Sequence, residues 1–222
     1  MKPTLLAAAV LAALTSTGAM AADVVASEPA PVAATYNWSG FYAGANIGGG
    51  WSHVDWAFLP SLNPANHSGS GVLGGLQIGY NFQNNNIVYG IEADISAADI
   101  HGGTACPNPT FSCDSKVSML GSVRGRLGWT ADRLLVYGTG GLGYGTVDIS
   151  DVNSSGTVFG TKKTRAGWTA GAGIEYALDQ HWTVKGEYKY FDLGRADYFT
   201  DGEFVRAKTQ IHTAIIGVNY KF

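Results

Sequence analysis

Seven stretches of this 222-residue chain alternate so that one phase of each carries no charge. These phases are Phe41 to Ile47, Val72 to Phe82, Ile87 to Ile95, Met119 to Trp129, Trp168 to Tyr176, Trp182 to Tyr190 and His212 to Phe222, each taken in steps of two. None of these 37 positions is Asp, Glu, Lys or Arg, although at the chain's 14% charged content about five would fall there by chance. Period-2 alternation is the signature of a β-strand whose two faces meet different surroundings. A basic side chain held near a bilayer midplane by such a wall costs about 2–4 kcal/mol, so five of them rival a protein's whole net stability. The uncharged phase therefore reads as the face turned to hydrocarbon. The opposite phase carries Glu92, Asp94, Arg124, Arg126, Glu175, Lys185, Glu187 and Lys189, four acids and four bases. Such a set is tolerable inside a narrow shared lumen where the charges neutralise one another, because an unpaired buried charge is far costlier than a paired one.

The spacing predicts strands over 38–48, 71–82, 87–97, 117–130, 134–145, 165–178, 182–191 and 207–222, with no capped helical stretch between them. The fold class is all-β, an eight-stranded antiparallel transmembrane up-and-down β-barrel with four long outer loops and short periplasmic turns. Short links at 83–86, 131–133 and 179–181 alternate with long ones at 49–70, 98–116, 146–164 and 192–206. In bacterial barrels short turns lie on the periplasmic side, and an even strand count returns both termini there. Trp38, Tyr80, Phe82, Trp129, Trp182, Tyr220 and Phe222 cluster at the short-turn ends and are expected to form the inner aromatic girdle. The stretch 134–145 leaves two phases open: Leu135, Tyr137 and Thr139 face lipid, or Leu134, Val136, Leu142 and Tyr144 do. Its Gly138-Thr139-Gly140-Gly141-Leu142-Gly143 matches a dinucleotide-binding fingerprint. No helix pattern follows, so glycines that let a curved wall bend and pack explain it better.

The amino-terminus supplies the compartment. Lys2, an apolar run from Leu5 to Leu14 and the small-x-small Ala19-Met20-Ala21 make residues 1–21 a signal peptide. Residues 22–35, rich in Ala, Val and Pro, read as a flexible periplasmic leader, and 36–222 as the barrel domain. Cleavage leaves 13 basic and 17 acidic residues, a net charge of −4, which gives no field for nucleic acid. Cys106 and Cys113 flank a Pro-rich polar stretch in an exported chain and are expected to form a local disulfide. Only His101 lies near them, too few ligands for a metal site.

The segments NWSGFYAGANIGGGW (37–51), VRGRLGW (123–129), LLVYGTGGLGYG (134–145), GWTAGAGIEYAL (167–178), WTVKGEYKYFDLG (182–194) and the ending IIGVNYKF resemble, in this order, a known family. It is the small eight-stranded outer-membrane protein β-barrel family of alphaproteobacteria, the porin-like or immunogenic outer-membrane proteins. The resemblance implies residence in the outer membrane among its lipids and insertion by the barrel-assembly machinery. Gly217, Tyr220 and Phe222 match the pattern expected of the assembly signal. It implies no single activity.

The functional expectation is a structural barrel, favoured as a monomer, that anchors surface loops and supports the envelope without catalysis or cofactor. Eight charges together with Tyr42, Asn46, Gln77 and Asn81 are enough to fill an eight-stranded lumen. Arg124 and Arg126 lie one strand from Glu92 and Asp94, and Lys185 faces Glu175 across a short turn, so structural ion pairing outweighs acid–base work. A narrow porin-like channel is the alternative. A second alternative is haem captured by His53 and His67 of the first loop and His101 of the second, since neutral imidazole is a competent iron ligand. His212, on the apolar phase near the outer interface, reads as an interfacial polar residue rather than a catalytic one.

Overall fold

The computed structural model describes residues 36–59, 64–105, 111–153, 158–200 and 203–222. Eight strands follow one another: β1 (Gly40–Leu59), β2 (Pro64–Asn84), β3 (Ile87–Ala105), β4 (Phe111–Ala131), β5 (Leu134–Asn153), β6 (Val158–Ala177), β7 (Trp182–Thr200) and β8 (Glu203–Lys221). Each pairs antiparallel with its sequence neighbour, and β1 pairs with β8 from Tyr42↔Lys221 to Leu59↔Phe204, closing the barrel. Closure pairs every strand on both sides through the lipid-facing band, the condition for a strand wall in lipid, and only the β6–β7 seam stops early, at Trp168↔Asp192.

The outward phase is the uncharged one. Ile47, Leu76, Ile91, Leu127, Leu142, Ile174 and Ile216 are exposed on the wall, while the intervening residues are buried inside. In β5 the open phase is resolved: Leu134, Val136 and Leu142 face outward, and Leu135 and Tyr137 are buried. Register shifts between Val117 and Met119 in β4 and between Asp192 and Arg195 in β7 mark irregularities above the lipid-facing band.

Two expectations are corrected. First, the strands reach 19–21 residues, absorbing much of what the sequence assigned to outer loops. Twenty residues tilted by about 40° rise roughly 50 Å, about twice the apolar band of an outer-membrane barrel, so the pairing continues well beyond the lipid. Backbone pairing does not stop where the lipid does, because each added pair satisfies another set of amides. His53, His67 and His101 consequently stand on β1, β2 and β3 rather than in loops.

Second, Trp38 is not part of the lipid-facing girdle. It precedes β1, is 2% exposed, and packs with Tyr36 at the short-turn end against Val88, Leu135, Tyr137 and Ala177. The Trp38 indole nitrogen donates to the Asp132 carbonyl at 3.1 Å, and its backbone amide donates to Gln83 Oε1 at 2.7 Å. The Tyr36 amide donates to Asp132 Oδ1 at 3.1 Å, and Lys221 Nζ donates to the Asn37 carbonyl. The other proposed girdle residues, Tyr80, Phe82, Trp129, Trp182 and Phe222, are exposed on the wall, and Tyr220 packs edge-on against Trp182 at 5.0 Å. The signal peptide, the leader and Cys106 lie outside the described residues; Cys113 is on β4, opposite Thr104 of β3.

Candidate functional site

The lumen collects all eight ionised residues that the alternation placed on the inward phase. Glu92 and Asp94 come from β3, Arg124 and Arg126 from β4, Glu175 from β6, and Lys185, Glu187 and Lys189 from β7, each between 1% and 6% exposed. In a ring of eight, β3 and β7 stand four strands apart, so pairs between them cross the full bore. Lys185 Nζ lies 2.9 Å from Glu92 Oε2, and Lys189 Nζ lies 3.0 Å from Asp94 Oδ1. Arg124 joins both walls: its Nη2 lies 2.7 Å from Glu92 Oε1 and 3.3 Å from Asp94 Oδ2, while its Nη1 pairs with Glu187.

A second layer sits nearer the short turns. Arg126 pairs with Glu175 and lies over the Tyr137 ring at 3.7 Å and the Tyr42 ring at 5.9 Å. A guanidinium is suited to this place because its planar faces stack on aromatic rings while its edge donates. Glycines make room for both tyrosines. A Cβ at Gly173 would come within 2.6 Å of the Tyr137 phenol, and one at Gly79 would strike that of Tyr42. The Tyr42 hydroxyl in turn donates to Glu92 Oε2 at 2.8 Å. Neutral groups extend the network to β1, β2 and β8: Asn46 donates to Gln77 at 2.5 Å, Gln77 to Asn219 at 2.8 Å, and Asn219 to Glu175 at 2.8 Å. Asn81 is buried on the same inner face.

One pairing differs from the sequence expectation. Lys185 and Glu175 are backbone partners across the β6–β7 turn, yet the ammonium turns from Glu175 toward Glu92 and Glu187, the latter at 3.4 Å. Glu175 is already held by Arg126, Thr183 and Asn219, so the lysine finds greater attraction across the bore. Sequence reasoning also missed Tyr36, Trp38 and Tyr137. For Trp38 a signal was present: it shares the even phase of Tyr42 and Asn46, opposite to the lipid-facing Phe41 and Ile47.

The remaining predicted residues lie apart from the lumen charges or at their edge. Gly217 faces inward beside Lys185, whereas Tyr220 and Phe222 pack together at the carboxy-terminal rim, with Phe222 also against Phe41 at 5.5 Å. His53 and His101 stand exposed on the outer wall, with β2 between their strands. His101 Nε2 lies 2.7 Å from Asp99 Oδ1, and Lys116 Nζ 2.8 Å from the same oxygen.

Residues 7–222 match the family described as outer membrane protein beta-barrel domain. A 31 kDa outer-membrane immunogenic protein of Brucella melitensis biotype 1 is 42% identical over 243 aligned residues that span all of both chains. A 22 kDa outer membrane protein of Rhizobium leguminosarum bv. viciae is 34% identical over 199 residues, 88% of this chain and 83% of that one. Among solved structures, the outer membrane protein OprG from Pseudomonas aeruginosa aligns with a TM-score of 0.52 over 84% of this chain and 98% of that one, a likeness of fold at 14% identity. A closed eight-stranded wall, uncharged outside and charged within, thus coincides with relatives named for the outer membrane, and the chain belongs to the outer membrane protein beta-barrel domain family.

Proposed function

We propose that this protein is a non-catalytic structural barrel whose lumen is closed by its own side chains and whose long strands carry a surface platform above the membrane. The observation that carries the reading is the pair of ion bridges spanning the bore, Glu92–Lys185 and Asp94–Lys189, with Arg124 tying both walls. A permeating ion would have to separate charges that share a low-dielectric interior, where removing one partner costs about 3–5 kcal/mol. Tyr36 and Trp38 add an apolar layer below them. The lumen carboxylates are engaged by cations, which suits scaffolding rather than acid–base chemistry.

Planar-bilayer recording on the refolded mature chain tests this. Silence at all voltages, in protein whose gel mobility changes on heating as a folded barrel's does, is the expected result. Steady conductance that scales with salt would replace the closed lumen with a narrow channel. Insertion by the barrel-assembly machinery is part of the same proposal. Deleting Phe222, which ends the rim cluster with Phe41 and Tyr220, is expected to lower the membrane-inserted fraction in cells while in-vitro refolding is retained.

A further inference from the structure

One seam of the wall stands open above the membrane. β6 and β7 share ten pairs, from Ala177↔Thr183 up to Trp168↔Asp192, whereas the flanking seams run on to Val152↔Val158 and Thr200↔Glu203. Trp182 of the inner girdle and Asp192 are ten residues apart on β7, about 25 Å of height in a tilted strand. The pairing therefore ends at the outer interface, where the Trp168 and Tyr190 rings pack at 5.2 Å. Above that level β6 keeps β5 on one side from Val158 to Gly167 and has no strand paired on the other. The two facing edges are unlike. β7 carries a bulge between Asp192 and Arg195, with Gly194 at a φ of +70°, and a bulge bends a strand and blunts its edge. β6 is paired to β5 without a register shift, so its open side is a regular row of backbone donors and acceptors.

This regular edge is also basic. From Val158 to Gly167 it carries Lys162, Lys163 and Arg165 and no acid. Lys162 lies 3.9 Å from Asp148 of β5. Across the gap, Asp192 lies 3.7 Å from Lys208, and Asp197 stands opposite Arg206 of β8. Arg165 reaches over the gap and donates to the backbone carbonyl of Arg195, and among the described residues neither guanidinium has a carboxylate partner. A neutral carbonyl is a weaker acceptor for a guanidinium than a carboxylate, which it can bind through two parallel bonds. An isolated anion would satisfy the guanidiniums and leave the strand edge unused. The β6 edge of a second copy would set cation against cation. An extended chain bearing carboxylates answers both features, its backbone pairing with β6 and its acids meeting the bases that flank it. We propose that the open edge of β6 captures an acidic, extended segment of another protein as an added strand at the cell surface. The proposal rests on the surface-platform reading and is independent of the closed lumen, which bilayer recording tests separately.

The test is fluorescence anisotropy of the folded mature protein in zwitterionic micelles with three labelled ten-residue peptides: alternating Thr and Glu, alternating Thr and Lys, and the Thr–Glu peptide N-methylated at every residue. Wild type is expected to bind the plain Thr–Glu peptide at least about tenfold more tightly than either of the others. Arg165→Ala is expected to weaken that binding by at least about fivefold, and Lys116→Ala, a cation of β4, to leave it unchanged. Residue-resolved hydrogen exchange should show the bound peptide protecting amides within 158–167. No binding of the Thr–Glu peptide at millimolar concentration, equal binding of its N-methylated form, protection confined to other strands, or undiminished binding by folded Arg165→Ala overturns the proposal. If Arg165→Ala does not reach the folded form whose gel mobility changes on heating, Arg195→Ala carries the same comparison under the same criteria.

Discussion

Arg124 holds three carboxylates from opposite walls at once, which makes it the residue where the lumen is most sensitive. Replacing it by alanine leaves Glu92 and Glu187 sharing Lys185 alone and Asp94 with Lys189 alone, an excess of buried negative charge, and urea unfolding in detergent should show a loss of about 3–5 kcal/mol. Arg124→Lys should recover only part of this, since a point-like ammonium cannot serve both walls with two forked nitrogens. Gly173→Ala is expected to push the Tyr137 ring off Arg126 and destabilise by about 1–3 kcal/mol in the same assay, the usual range for overpacking. Which charges turn inward was legible from alternation alone, because a strand has only two faces. Which charge meets which was not, as the turn of Lys185 from Glu175 to Glu92 shows. That choice depends on distances across a bore narrow enough for side chains to meet, and linear spacing holds no such distance.

At the level of elements, the phase of β5 was hidden because both faces of Leu134–Gly145 are rich in leucine, tyrosine and glycine. The charges of β4 and β7 gave those strands away, and β5 has none in its lower half. Strand length was illegible for a related reason: above the lipid both faces meet water, so alternation fades while pairing continues. Hydrogen exchange should therefore find amides at 52–57 of β1 protected nearly as well as those at 43–47, where a loop would exchange fast. The segment before β1 is equally definite, and Trp38→Ala is expected to cost about 3–5 kcal/mol through its lost packing and its lost bond to Asp132. The short turn before β7 supplies a pH test. Asp179 accepts from the amides of Trp182 and His181 at 2.8 and 2.7 Å, and these bonds hold its carboxyl below the ordinary range. A lowered folded value means that this support is complete above the unfolded carboxyl's pKa, near 4, and fades as pH falls through the folded one. Unfolding midpoints of wild type and Asp179→Asn should accordingly differ above pH 5 and converge in acid.

For the molecule as a whole, fold and location follow from one partition, and relatives in Brucella and Rhizobium named for the outer membrane share the chain nearly end to end. The bridges across the bore also bear on how the barrel is made. Their partners, Glu92 and Asp94 on β3 and Lys185 and Lys189 on β7, belong to different hairpins, and they can meet only after the sheet has curled far enough for β1 to find β8. Until that seam zips, each ion must keep its hydration shell, so an inserting sheet carries water into the membrane along its concave side. Ring closure and drying of the interior are then a single late event, and refolding rates in wild type should respond to ionic strength at that step. A variant with all four of these residues made neutral should show a weaker response, carried by Arg124–Glu187 and Arg126–Glu175 alone, while reaching the same closed ring.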